Sequence, residues 1–399
     1  MNNRLEPFIN FGKMPIANGF LTEDQFEDEY FFELKVGFDP DTKLVQLLEL
    51  VDENKMFHDN YAFFSSTSKF MQSHFKKFHD FVSEKYIKEE DPFVMEIGSN
   101  DGILIQNFAK RGIRHLGVEP SKNVAEVAKG KGIDCISEFF TEELADKVRN
   151  EMGGADVIMS ANCICHIPYL DSVFGGVQRL LKPKGVFVFE DPYLGDIIEK
   201  VSYDQIYDEH VWYFCVHSIS LMAEKHGLEV IEVLPQEVHG GSMRYVLANK
   251  DAYTVNDTVN KQIKKECGLG LLDVSTYIDF ANKIEESRDK LMAILNQLKN
   301  DGKRVVAYAA TSKSTTVTNY CGISQEHIEF ISDTTPIKQG KFSPGAHIPV
   351  KSQDDFKNDY PDYALLFGWN HAKEIMGKEH KFIESGGKWI VYVPEVKVL

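Results

Sequence analysis

The chain is short of the features that mark several large classes. Its six cysteines (Cys135, Cys163, Cys165, Cys215, Cys267 and Cys321) are scattered over 399 residues. Only Cys163 and Cys165 stand close, as CxC, and no CxxC occurs. That spacing argues against a disulfide framework and against a zinc ribbon. No apolar run approaches the roughly 20 residues that span a bilayer, so no membrane partner is expected. The opening MNNRLEPFINFG lacks a basic stretch followed by an apolar one. No signal peptide is read there, and a reduced, cytoplasmic protein is expected. Positive charge is scarce: 44 Lys and Arg against 61 Asp and Glu give a formal net charge of −17. Nonspecific nucleic-acid binding relies on Lys and Arg set against phosphates, so nucleic acid is not an expected partner. An anionic small ligand is compatible with this charge, because it needs only a few local donors, often at a helix N-terminus.

What is present suits a multi-domain globular protein. The length allows two or three domains, and 43% of residues are apolar. Three regions and no internal repeat are visible. Residues 1–90 are aromatic-rich, with short strand candidates and a helical stretch over 66–86, and form a small N-terminal lobe. Residues 91–250 alternate strand and helix patterns. FVMEIG (93–98), RHLGVE (114–119), ADVIMSA (155–161) and GVFVFE (185–190) are strand-like, with helical segments over 103–111, 123–130, 141–152 and 170–181. LEVIEVLP (228–235) and SMRYVLAN (242–249) close the region. This alternation predicts an α/β fold with a parallel, doubly wound sheet. Residues 251–302 read as a polar helical connector, and 303–399 as a second, Rossmann-like α/β domain.

The sharpest local signal is MEIGSNDGIL (95–104). Glu96 lies near the end of a strand, and Gly98-x-x-x-Gly102 then turns the chain toward a helix. Gly98 permits a positive φ and a close backbone approach to a ligand. The spacing is not the GxGxxG of dinucleotide binders, which favours S-adenosylmethionine over NAD. Glu119 ends the next strand, about 20 residues on, where a carboxylate can bond both ribose hydroxyls. SANCICHIP (160–168) adds Asn162 and His166 at another strand end, where ligands collect. Asn100, within the turn, completes the expected cofactor site. Taken alone, the two glycines also fit plain turn and packing positions. Together with the acidic and polar strand ends they predict a class I methyltransferase sheet.

Longer blocks carry a resemblance. LEPFINFGKMPIANGFL (5–21), HDNYAFFSSTSKFM (58–71), GVEPSKNVAEVA (117–128), FEDPYLGDIIEKVSYDQIYDEHVWYF (189–214) and VHGGSMRYVLA (238–248) occur in order. AYAATSKSTTVTNYCGI (307–323), SDTTPIKQGKFSPGAHIPV (332–350) and GWNHAKEIM (368–376) follow. Over nearly the whole length the chain resembles the three-domain C-methyltransferases that act on nucleotide-linked 4-keto-6-deoxy sugars. It departs from them at one place. Relatives carry a four-cysteine zinc site in the N-terminal domain. Here GFDPDTKLVQL (37–47) has Asp39 and Thr42 where cysteines stand, and no cysteine pair precedes LEPF. Zinc is therefore expected to be absent, no metal ligands are assigned, and Phe31, Phe32, Leu34, Val36 and Phe38 are expected to hold the lobe together.

C-methylation beside a ketone requires removal of a C–H proton and stabilisation of an enolate. A base titrating near the working pH and a hydrogen-bond donor for the oxygen are needed. The resemblance implies His210 as that base, with Tyr207 and Glu209 as orienting neighbours. It also implies His166 and Tyr61 as members of the site, Tyr61 reaching in from the N-terminal lobe. Trp212, Tyr213 and Phe214 read as wall and core. His217 and His239 read as structural by themselves. VHGGSMR lies near the sugar in this reading, which makes His239 a secondary substrate contact. The diphosphate of the nucleotide sugar is assigned to Lys313, Ser312 and Ser314, at a strand–turn–helix junction suited to anions. An ordinary helix cap by Thr311 or Ser312 is the competing reading. Lys338 and Lys341 are weaker candidates. O-methylation of a related sugar, a catalytically inactive sugar-binding protein and an NAD-linked oxidoreductase are the rival functions.

Overall fold

The structure, a computed structural model, describes residues 5–52 and 69–399. Its described strands form three sheets. The N-terminal sheet begins with β1 (Glu6–Pro15), β2 (Phe31–Phe38) and β3 (Val45–Leu47), paired antiparallel. Its fourth strand, β9 (Trp212–Tyr213), comes from the middle of the chain and pairs Tyr213 with Val45. Along β2 the residues Phe32, Leu34, Val36 and Phe38 are buried, whereas Phe31 is 41% exposed. Successive side chains of a strand face opposite sides, so Phe31 has the wrong parity for the core expected of it.

The helix Lys69–Tyr86 is grouped by sequence with the N-terminal lobe. It packs instead on the central sheet: Phe75, Phe78 and Val82 form one helical stripe. That stripe lies against Val94, Val157, Val186 and Val188.

The central sheet comprises β4 (Phe93–Ile97), β5 (Arg114–Val118), β6 (Cys135–Ile136), β7 (Ala155–Ala161), β8 (Leu181–Pro192), β10 (Leu228–Gln236) and β11 (Ser242–Asn249). They lie in the order β6-β5-β4-β7-β8-β11-β10. Pairings from β6 to β8 are parallel, and β11 runs antiparallel between β8 and β10. All of β4 is buried, as expected for a strand covered on both faces. Chain order reverses between β4 and β7, the switch point at which such sheets bind ligands. The glycine turn after β4, Glu119 after β5 and Asn162 after β7 therefore share one rim.

The third sheet holds β12 (Val305–Tyr308), β13 (Ile331–Ser332), β14 (Val350–Lys351), β15 (Tyr363–Leu366), β16 (Lys388–Val391) and β17 (Lys397–Val398). Its order is β14-β13-β12-β15-β16-β17, parallel except at β17. The connector is two helices, Asp257–Leu269 and Val274–Asn300. Tyr277 of the second stacks on Phe8 at 5.2 Å and lies 4.7 Å from the Phe38 ring, joining it to the N-terminal sheet. Glu266 of the first is fully buried and accepts the Val216 and His217 N–H groups at 2.6 and 3.0 Å. A carboxylate there meets the positive end of the helix Val216–Lys225. Among the described residues no helix is long and apolar enough to cross a membrane.

Candidate active site

The glycine turn is built as its sequence requires. Gly98 has φ +68°, and a Cβ there would meet Cys163 Sγ at 2.3 Å. Gly102 has φ +81°, and a Cβ there would meet Ile133 at 2.1 Å. Asn100 is also left-handed, at φ +48°. Its N–H bonds one carboxylate oxygen of Glu119 at 3.0 Å, and the Ser121 N–H bonds the other at 2.8 Å. Each oxygen keeps further acceptor capacity, so the ribose assignment fits. Glu96 is buried and accepts the Ile105 N–H at 3.0 Å. It braces the turn from beneath, and burial raises its carboxyl well above the usual range. This fastening delays the expected helix: over 103–111 only Gln106–Ala109 is regular α-helix. Asn162, at φ +52°, donates its N–H to Glu190 O at 2.7 Å, and its Oδ1 is buried without a partner. An unsatisfied buried acceptor at the rim, beside a backbone cradle that a Cβ would fill, fits S-adenosylmethionine.

Residues 204–214 join all three sheets. Asp204 is fully buried and its Oδ2 accepts from Trp369 Nε1 and from Tyr392 OH, both at 2.6 Å. Thr316 donates to Ile206 O at 2.7 Å, and Thr315 of the same helix to Ala17 O at 2.8 Å. Asp208 accepts the Ala17 N–H at 2.9 Å, and Glu209 accepts from Asn18 at 2.7 Å. Burial raises both carboxyls. Glu209 thus turns toward the N-terminal loop.

His210 sits at the centre. Its Nδ1 lies 2.8 Å from Gln205 O, which can only accept, so Nδ1 carries the proton. Nε2 is then the acceptor, and the Tyr207 hydroxyl donates to it at 2.8 Å. The His166 ring is stacked on that of His210, with centroids 5.1 Å apart at 26°. Burial and the neighbouring His166 push His210 well below its ordinary value. Burial likewise lowers His166, to about 4. Both rings are therefore neutral near pH 7. A cleft of about 310 Å³ opens beside them, lined by Leu50, Val51, Asp52, His166, Pro168, Tyr169 and Val211.

The structure brings Tyr207, His210 and His166 together. Lys313 is buried, 4.9 Å over the Trp369 ring, and donates to His239 O at 3.4 Å. Burial, and after it the Lys313 charge, lowers His239 to about 3. Ser312 opens the helix Ser312–Cys321 and is half-buried. Ser314 donates its N–H to Thr311 Oγ1 at 3.2 Å and its hydroxyl to Thr311 O at 2.5 Å, so both groups serve the helix cap. Tyr61 lies outside the described residues. Three site residues escaped the sequence reading. Cys165 Sγ lies within 4.8 Å of ring nitrogens of both His166 and His210. Asp191 is fully buried at the end of β8, and burial pushes its carboxyl up to about 8. Asp204 serves as the inter-domain acceptor. The acidic strand end FEDP was a signal for Asp191; nothing local marks the partners of Cys165 or Asp204.

Comparison with known proteins agrees with this geometry. Residues 68–233 match the family described as "Methyltransferase domain", and 237–394 the "C-methyltransferase C-terminal domain". Residues 1–57 match a "Putative zinc binding domain". The chain is 34% identical over 393 residues to "C-methyltransferase NovU" of Streptomyces niveus, covering 98% of this chain and 93% of that protein. It is 30% identical over 138 residues to "Sterol 4-C-methyltransferase strm-1" of Caenorhabditis elegans, covering 34% of this chain and 40% of that one. The magnesium protoporphyrin IX methyltransferase of Synechocystis, solved with bound SAM, aligns over 45% of this chain and 79% of that one. Identity there is 11% and the TM-score 0.35, a likeness that carries no weight beside the strand order. With the glycine turn, the switch-point rim and a full-length relative in agreement, the chain belongs to the C-methyltransferase family and uses S-adenosylmethionine as its methyl donor.

Proposed function

We propose that this C-methyltransferase acts at carbon 3 of a nucleotide-linked 4-keto-6-deoxy sugar, through an enolate formed by His210. The observation that carries the reading is the hydrogen-bonded array of Gln205 O, His210 and Tyr207, with 2.8 Å on each side of the ring. S-adenosylmethionine, when bound, supplies an electrophilic methyl group. Gly98, Asn100, Gly102, Glu119 and Asn162 hold it at the rim, and Glu96 supports the turn. His210, tied through Nδ1, presents Nε2 in its neutral form, which is the form a base requires. A substrate carbonyl arriving beside Tyr207 takes over the hydroxyl's hydrogen bond. That exchange frees the Nε2 lone pair for the adjacent C–H. The proton passes from carbon to Nε2, and the enolate oxygen stays against the Tyr207 hydroxyl. His166, stacked on the ring, restrains its orientation, and Glu209 holds the loop to Asn18.

The cleft beside His166, about 310 Å³, supports entry of a sugar ring there. Lys313, a buried cation beside Trp369 and the His239 carbonyl, is the proposed diphosphate contact. The N-terminal lobe, in this reading, needs no zinc. At the position of the missing cysteines, Asp39 accepts the Asp41 N–H at 2.9 Å and the Thr42 N–H at 3.4 Å. That turn is closed by hydrogen bonds, and the apolar face of β2 supplies the packing.

The test is incubation with S-adenosylmethionine and a panel of thymidine, guanosine and cytidine diphosphate-linked 4-keto-6-deoxy sugars. A gain of one CH2, located on carbon by NMR, is expected. In deuterated water the carbon beside the ketone should exchange, and His210→Asn should abolish the exchange. An ether product without exchange would replace this reading with O-methylation. Tight binding of a sugar nucleotide with no turnover across the panel would sink it.

A further inference from the structure

The sequence assigned no metal ligands, yet the fold gathers three. Cys165 and His166 follow β7, and His210 lies just before β9. One donor atom from each falls within 4.8 Å of the other two. A thiol and two imidazoles are a soft, nitrogen-and-sulfur donor set, the set that zinc-class cations select. Bonds of 2.0–2.3 Å to a tetrahedral cation place donors about 3.3–3.8 Å apart. Donors within 4.8 Å of one another are therefore at most about 1.5 Å wider than a closed site.

We propose that the Cys165–His166–His210 cluster binds a zinc-class divalent cation, with three protein ligands and a fourth position open toward the cleft. The surroundings suit it. His210 keeps its Nδ1–H on Gln205 O at 2.8 Å, the outer contact that fixes a ligating ring and aims Nε2 at the metal. Asp191 is fully buried beside Cys165. The cleft that His166 lines gives the ion a way in. On binding, the Cys165 thiol proton goes to solvent, the sulfur bonds the cation, and His210 Nε2 exchanges the Tyr207 hydroxyl for it. The site lies in the central domain, apart from the N-terminal lobe where relatives hold zinc. Its functional consequence rests on the reading of His210 as base: a metal on Nε2 removes the lone pair and stops methyl transfer.

The full-length, reduced protein is titrated with Co2+ in the absence of methyl donor. The expected result is one equivalent of tetrahedral cobalt, with a near-ultraviolet thiolate-to-cobalt band that Zn2+ displaces. Cys165→Ser should lose that band and bind at least about tenfold more weakly. Cys267→Ser, at the exposed cysteine, should retain it. Cys165→Ala serves where the serine variant fails to fold. In activity assays, each rate taken relative to the same protein without metal, Zn2+ should inhibit the wild type and have little effect on Cys165→Ser. Absence of a thiolate–cobalt band, or a band unchanged in both Cys165 variants, overturns the site. A Cys165-dependent band without inhibition by Zn2+ supports the site and counts instead against His210 as base.

Discussion

Gly98→Ala tests the cofactor turn most directly. The φ of +68° costs an L-residue about 1–2 kcal/mol. The added methyl would also stand 2.3 Å from Cys163 Sγ and 2.7 Å from its Cβ. Overpacking of that kind costs about 1–3 kcal/mol more. The variant should therefore lose about 2–5 kcal/mol in all, divided between folding and binding. If the turn shifts to relieve the contact, each 1.4 kcal/mol of misfit appears as about a tenfold loss of affinity for S-adenosylmethionine. A second substitution separates the two causes. Cys163→Ala in the Gly98→Ala background removes the sulfur and leaves the Cβ. It should recover part of the overpacking and none of the left-handed strain, a coupling of about 1–2 kcal/mol in a double-mutant cycle. Urea unfolding reads stability, and titration calorimetry reads affinity. The reasoning is refuted if Gly98→Ala costs under about 1 kcal/mol with affinity unchanged, or if the cycle shows no coupling.

Tyr207→Phe removes the hydroxyl on His210 Nε2, and kcat should fall about 10²–10³-fold with little change in stability; an unaltered kcat would exclude Tyr207 as the enolate donor. Burial and His166 hold His210 well below its ordinary 6.5, so it stays neutral through that pH. The pH profile of kcat/KM should run flat from neutrality past 6.5 and fall only in stronger acid, and an acid limb at or above 6.5 would contradict it. The same depressed value makes the unfolded chain bind the proton first, so ligand-free stability should drop as pH falls below about 6.5, a trend that urea unfolding across pH can check. Asp204→Ala strands two buried donors, Trp369 Nε1–H and Tyr392 O–H, at about 1–3 kcal/mol each; Asp204→Asn, which keeps an acceptor, should cost less, and equal costs would argue against the hydrogen bonds. Metal analysis of the Cys165→Ser protein should find no stoichiometric zinc, whereas one equivalent there would mean that the N-terminal lobe holds structural metal after all.

Much of the central domain was legible without coordinates, because its signals are local. β4, β7 and residues 185–192 of β8 are buried almost throughout, so near-continuous apolar sequence marks them. The turn MEIGSNDG depends on backbone freedom at two glycines four residues apart, a requirement written in the chain itself. Where local signals compete with packing, the sequence misplaced things. The helix Lys69–Tyr86 has a clear apolar stripe, but periodicity does not say which sheet that stripe meets. Phe31 was counted into a core from which strand parity excludes it.

The loop DQIYDEHVWYF divides the two kinds of information most clearly. Sequence alone determined that an aromatic, acid-rich segment with one histidine follows β8, and resemblance singled out Tyr207 and His210. Only the tertiary structure decided which atom of His210 holds the proton, since that depends on Gln205 O folding back to 2.8 Å. Only the fold pairs Tyr213 with Val45, ties Asp204 to Trp369 and Tyr392, and sets Cys165 against two histidines. The physical reason is range. Turn chemistry and strand or helix period act over a few residues and are fixed by covalent spacing. Partners far apart in the chain meet only when burial of the three sheets against one another closes the distance, and no local pattern encodes that meeting.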